Sequence, residues 1–145
     1  MTLKALAKAA SVYFDSNAII YFVERDDDLR RKIGGAFQII EDNKIPMATS
    51  EVAVAECLHG AHKLKSAALA ADYRALFDDI KAFNLVPVTR DILESAARLA
   101  PENGMKLVDA IHFASAIAAG CDVLLTNDRK FRSGHGVKVI QVSDL

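Results

Sequence analysis

The chain has 145 residues, a length that suits one domain able to bury a core without disulfides or a structural metal. Its 52% hydrophobic and 26% charged content excludes a disordered tail protein, and its net charge of −1 means that any RNA or DNA binding must come from local basic patches. No apolar run approaches the ~20 residues needed to span a bilayer, and Cys57 and Cys121 lie in apolar or amphipathic patterns without metal-binding spacing. Both read as buried free thiols in a reducing compartment, which predicts a cytoplasmic protein.

In chain order, residues 1–10 are rich in Ala, Lys and Leu and read as an N-terminal extension able to form a short helix. They are expected to be frayed, or to follow from a start codon upstream of the true one. The domain proper is expected over residues 11–145. Val12-Tyr13-Phe14 is the first predicted strand, and Asp15-Ser16-Asn17 supplies turn and capping chemistry before the apolar segment Ala18 to Phe22. Asp26-Asp27-Asp28 opens the next helix at the positive end of its dipole. Ile45-Pro46-Met47-Ala48 is a second strand, after which Thr49 or Ser50 caps a helix carrying Glu56. Residues 51 to 83 form two helices, the second with Leu69, Tyr73, Leu76, Phe77 and Ile80 as its apolar contacts. Leu85-Val86-Pro87-Val88 is the third strand, and Thr89 or Asp91 caps a helix through Leu99. Pro101-Glu102-Asn103-Gly104 reads as a loop. A strongly patterned helix follows over residues 106 to 119, ended by Gly120, with Leu107, Ile111, Ala114 and Ala118 forming its core-facing stripe. Strands at 123–126 and 137–142 complete the pattern. Alternating strands and helices argue a single α/β domain, with a central, mostly parallel sheet of about five strands and helices on both faces.

Four acids occupy informative places in this pattern. Asp15 and Asp128 follow strands, and open α/β sheets build their ligand sites at the C-terminal strand edge. Glu56 and Asp109 lie on helices, Glu56 among Val54, Ala55, Cys57 and Leu58, while Glu51 sits at a helix start where the dipole accounts for it. Taken singly, each acid has a plain reading: helix capping for Asp15, a solvated side chain for Glu56, dipole complementarity for Asp109, turn formation for Asp128. Gathered together they repel one another and call for a hard cation such as Mg²⁺ or Mn²⁺, with oxygen ligands.

The segments Val12-Tyr13-Phe14-Asp15-Ser16-Asn17, Glu56-Cys57-Leu58-His59-Gly60, Leu107-Val108-Asp109-Ala110-Ile111-His112-Phe113-Ala114 and Leu124-Leu125-Thr126-Asn127-Asp128-Arg129-Lys130-Phe131 resemble the four signatures of the PIN domain. In particular they resemble VapC-type toxins of bacterial VapBC toxin–antitoxin modules. Each motif alone is weak; four in order, from about residue 11 to the C-terminus, are specific. The resemblance implies a Mg²⁺- or Mn²⁺-dependent endoribonuclease, a homodimer, and a cognate VapB-like antitoxin that occludes the site. By position it makes Asp15, Glu56, Asp109 and Asp128 the acidic quartet, and Ser16 and Thr126 the hydroxyls that support metal or substrate.

On that expectation Asp15 and Asp109 are direct metal ligands. Glu56 and Asp128 hold water, orient the attacking hydroxide, or complete a second metal position. In-line attack leaves a 5′-phosphate and a 3′-hydroxyl. Arg129, Lys130 and Arg132 are the candidate RNA contacts, with Lys63, Lys65 and Arg74 a second basic group. His112, three residues after Asp109, reads as a packed or hydrogen-bonded histidine more readily than as a general acid. Cys57, His59 and His62 do not make a zinc set, because Cys57 and His59 point to different sides of a helix. A phosphatase with Asp15 as nucleophile would want an acid where Asn17 stands, and a phospho-acceptor domain lacks its early acid pair. The serious alternative is a PIN-fold RNA- or protein-binding module with little nuclease activity.

Overall fold

A computed structural model describes residues 2–79 and 82–145. Ile80, expected as an apolar contact, lies outside the described residues. The strands are β1 (Val12–Phe14), β2 (Met47–Ser50), β3 (Asn84–Val86), β4 (Val123–Thr126) and β5 (Lys138–Gln141). All four pairings are parallel, in the order β3-β2-β1-β4-β5. The helices are α1 (Thr2–Ala7), α2 (Ser16–Glu24), α3 (Asp28–Asp42), α4 (Glu51–Lys63), α5 (Ala67–Asp78), α6 (Arg90–Asn103) and α7 (Leu107–Ala118), with a 3₁₀ turn at Val142–Asp144.

Alternation along β1 and β4 divides the core in two. Val12, Phe14, Val123 and Leu125 face one cluster with Leu6, Ile19, Ile33, Ile40, Cys57 and Tyr73, and so with α1 to α5. Tyr13 and Leu124 face the other, made with Ile92, Ala96 and Leu99 of α6 and Ile111, Phe113 and Ala114 of α7. Helices therefore cover both faces, as expected, and the sheet is parallel throughout.

Several boundaries differ from the sequence expectation. β2 begins at Met47 because Met47 is the residue in register with Val12, while the Pro46 carbonyl accepts the Val12 N–H. β3 starts at Asn84 and ends before Pro87, which lacks the N–H that a sheet needs. β5 is shorter than expected, since Val142 enters the 3₁₀ turn. The expected loop at residues 101–104 is the last turn of α6, which runs through Pro101 to Asn103. Gly104 at φ 62° closes it, a left-handed conformation that glycine adopts without Cβ penalty.

In α7 the expected stripe holds only in the middle. Ile111 and Ala114 are buried, but Leu107 is 56% exposed and Ala118 is exposed. Residues 110 to 116 are buried without a break, because α7 packs between the sheet, α6 and α4. The helix end matches the sequence reading: Gly120 N–H bonds the Ile117 carbonyl and Cys121 N–H bonds that of Ala116.

Within the expected extension, two devices tie residues 2–10 to the domain. Leu6 is fully buried, and the Ala10 and Ser11 N–H groups both donate to the Asp122 carboxylate at 3.0 Å. Replacing Leu6 with Ala should therefore destabilise the protein by about 2–4 kcal/mol in urea unfolding. A loss below about 0.5 kcal/mol, typical of surface substitutions, would show that α1 is detached in solution.

Candidate active site

The strand order turns between β1 and β4, which leave the centre of the sheet towards opposite edges. Their C-terminal ends thus define the switch-point crevice. Asp15 follows β1 and caps α2, with Oδ1 accepting the Ser16 N–H at 2.9 Å. Its other oxygen accepts the Thr126 hydroxyl at 2.8 Å. Asp15 is 3% exposed. Burial raises its pKa above the ordinary carboxylate value; His112 and Thr126 work against the rise, and Asp109 and Glu56 add to it.

Thr126 is the junction of this edge. Its oxygen accepts the Asp128 N–H at 3.1 Å and the Asn17 side-chain amide at 3.2 Å, while Asn17 Oδ1 accepts the Asn127 N–H at 3.2 Å. Asp128 sits on the turn after β4, where Oδ1 accepts the Lys130 N–H at 2.9 Å. Gln141, in register with Thr126 on β5, donates to the Asp128 carbonyl at 3.0 Å. Among the described residues, the Gln141 Oε1 is the buried side-chain atom without a hydrogen-bond partner.

The other two acids come from helices. Glu56 on α4 bonds His112 Nε2 through Oε1 at 2.6 Å, and the Ser16 side chain also reaches it. Burial pushes the Glu56 pKa up, but the bonds from His112 and Ser16 outweigh it and the net shift is downward. His112 is fully buried on α7, with Nδ1 at 2.7 Å from the Tyr13 hydroxyl and Nε2 at 3.7 Å from Asp15 Oδ1. Burial lowers the imidazole pKa, but the Glu56 bond and the charges of Asp15, Glu56 and Asp109 together raise it by more, for a net rise. Asp109, in the first turn of α7, is raised by burial and then by Asp128, with Glu56 adding. Glu51, by contrast, is exposed at the start of α4.

Glu56, Asp109 and Asp128 line one open cleft of about 690 Å³ with Val52, Ala55 and Lys106. Asp15 lies behind it through the Glu56–His112 contact. Of the basic residues, Lys130 and Arg132 are exposed, whereas Arg129 folds onto Asp144 at 3.2 Å and the Ser143 hydroxyl at 3.0 Å. Lys106 was missed in the sequence, although its place just before the Asp109 helix was a signal. Asn17, Tyr13 and Gln141 had no such signal, since their roles arise from neighbours more than 10 residues away. Cys57 is buried with its thiol pushed up to about 12, and Cys121 is likewise a buried free thiol. His59 and His62 are exposed, so they make no zinc set with it.

A family model for the PIN domain matches residues 12–135. The fold is similar to a toxin–antitoxin complex chain from Klebsiella pneumoniae, at 25% identity and TM-score 0.68, covering 91% of this chain and 98% of that one. It is also similar to VapBC2 from Rickettsia felis, solved bound to a DNA fragment from their promoter, at 17% identity and TM-score 0.71, covering 90% and 97%. A third likeness is to VapC20 of Mycobacterium tuberculosis, described as a sarcin–ricin loop cleaving toxin, at 20% identity and TM-score 0.61, covering 79% and 87%. No curated protein matches by sequence.

The oxygen-only carboxylate set suits a hard divalent ion, and the raised Asp15 and Asp109 carry repulsion that a cation relieves. Among the described residues, no three His, Cys, Asp or Glu side chains are gathered closely enough to hold an ion as they stand. The donor chemistry fits.

That repulsion has a pH signature. A carboxyl whose pKa is raised by folding favours the fold below its unfolded value, and this contribution is lost as pH rises through the folded value. The metal-free Asp109→Asn protein should therefore melt on the order of 1–3 °C above wild type at pH 7. The gap should narrow as pH falls through the raised folded value and be gone below the ordinary unfolded carboxylate value of ~3.9. Calorimetry in EDTA reads this directly, and equal melting at pH 7 would show that neither burial nor the neighbouring carboxylates disfavour the charged Asp109 in the fold.

Proposed function

Since this chain belongs to the PIN-domain family, we propose that it is a divalent-metal-dependent endoribonuclease acting as the toxin of a type II toxin–antitoxin system. The observation that carries this reading is the set of four acids at the β1/β4 switch point, three around an open cleft and Asp15 behind them. The toxin–antitoxin complexes among the structural neighbours support the partner, and the sarcin–ricin loop cleaving toxin supports RNA as substrate. A cognate antitoxin, a homodimer and a cytoplasmic location belong to the same reading, as does the division into a 1–10 extension and an 11–145 nuclease domain. Among the described residues no helix is long and apolar enough to cross a membrane.

Asp15 and Asp109 would hold Mg²⁺ or Mn²⁺, with Glu56 and Asp128 completing the set. When bound, the ion neutralises phosphate oxygens and lowers the pKa of its water. Thr126 and the Ser16 N–H hold the two oxygens of Asp15 in a fixed orientation. Glu56 and Asp128, both at the cleft, would orient the attacking water and take its proton. Lys106 lines the cleft, and Lys130 and Arg132 stand exposed after Asp128 to meet the RNA backbone. Arg129 serves there only if it leaves Asp144. In-line attack would yield 5′-phosphate and 3′-hydroxyl ends.

One observation favours the second reading, a PIN-fold RNA- or protein-binding module: no three donors converge among the described residues. Incubating the antitoxin-free protein with tRNA and ribosomal RNA in Mn²⁺, Mg²⁺ or EDTA separates the two. Discrete fragments with 5′-phosphate ends are expected only with metal, and Asp15→Asn or Asp109→Asn should reduce the rate at least about 100-fold. Equal cleavage in EDTA would sink the metal mechanism. Metal binding by a folded chain that never cleaves RNA would favour the binding module.

A further inference from the structure

We propose that His112 is a positioning residue for Glu56: the buried Tyr13–His112 pair holds the Glu56 carboxylate in its working orientation at the wall of the acidic cleft. This inference rests on the ribonuclease reading above and adds two residues to it.

Glu56 needs a support. Its side chain is 33% exposed, and a glutamate at a cleft mouth has three rotatable bonds to sweep through solvent. Asp15, by comparison, is fixed by its own strand, the Ser16 N–H and Thr126. The imidazole supplies what α4 does not. Its Nε2 meets Glu56 Oε1 at 2.6 Å, and its Nδ1 is pinned by the Tyr13 hydroxyl at 2.7 Å. Tyr13 and His112 are both at 0% exposure, and their rings meet edge to face, 5.8 Å apart. Tyr13 lies two residues before Asp15 on β1, and His112 lies one helical turn after Asp109 on α7. The chain Tyr13–His112–Glu56 thus refers an acid on α4 to the elements that carry Asp15 and Asp109.

The direction of the Glu56 bond does not depend on the charge of the imidazole. In the neutral form that satisfies both contacts, Tyr13 O–H donates to Nδ1 and Nε2–H donates to Glu56. In the protonated form Nε2–H still donates to Glu56. Packing alone does not call for a histidine here. The α7 neighbours Ala110, Ile111, Phe113, Ala114 and Ala116 are apolar and buried, and a polar ring at such a position is costly unless its bonds are made. Both ring nitrogens spend their bonds on the route from the central strand to Glu56.

The test is a double-mutant cycle on the purified full chain, with folding checked by urea unfolding and Mn²⁺ binding by calorimetry. His112→Leu should lower kcat for RNA cleavage at least about tenfold while leaving KM within about twofold. His112→Gln, which keeps an N–H donor, should recover part of the loss, and Tyr13→Phe should lose less than His112→Leu. In a Glu56→Gln background, His112→Leu should cost nothing further, because the two residues act as a unit. Losses that multiply in that background, or a His112→Leu enzyme with wild-type kcat, would overturn the inference while leaving the Asp109-dependent nuclease intact. A wild-type chain that neither binds Mn²⁺ nor cleaves RNA would remove the ribonuclease reading, and this inference with it. Should His112→Leu fail to fold, His112→Gln and Tyr13→Phe carry the same cycle.

Discussion

The parallel pairing of β1 with β4 is the constraint on which the site depends. Phe14 lies in register with Leu125, and the Asp15 N–H donates to the Leu125 carbonyl at 3.0 Å. That one register places Asp15 beside Thr126 and sets Tyr13 and Phe14 into different cores. A slip by one residue would exchange the faces of every side chain in β1. It would take Tyr13 away from His112 and Asp15 away from Thr126. The all-buried sequence of β1 and β4 makes such a slip expensive, since both faces of the sheet are covered.

On this frame the protein carries an unusual concentration of negative charge. Asp15 and Asp109 are pushed up by burial and by neighbouring carboxylates, while Glu56 is pulled down by its bond to His112. The imidazole is the partner that the fold itself supplies, 2.6 Å from one acid and 3.7 Å from another. The edge away from Glu56 relies on neutral side chains instead: Thr126 and Asn17 accept N–H groups of the turn that carries Asp128, and Gln141 donates to its carbonyl. Rigid neutral bonds on one side and a charged or chargeable partner on the other leave the cleft mouth, with Asp109 and Asp128, as the place where repulsion is least relieved.

Much of this was legible in the chain. The caps at Asp27, Ser50 and Thr89 are local, because a side-chain oxygen bonds an N–H two or three residues on. Short β-like runs alternating with helical patterns located the five strands of the sheet and the α/β alternation. α6 runs through Pro101 to a local cap at Gly104, whereas the limits of β2 and the broad burial of α7 were set by partners across the fold. Arg129 shows the same limit: adjacent to Asp128 in sequence, it turns to Asp144.

By itself the sequence determined the class of fold, the order of its elements, and which acids stand at strand ends or helix starts. These follow from local propensity, capping and hydrophobic period, all of which act over a few residues. Only the tertiary structure decided that Glu56 meets His112, that His112 leans on Tyr13, that Thr126 holds Asp15, and that Leu6 belongs to the core. Those contacts join residues from different elements, 56, 99 and 111 positions apart for the three hydrogen bonds. Their geometry is set by strand register and by the packing of α4 and α7, which no local pattern encodes.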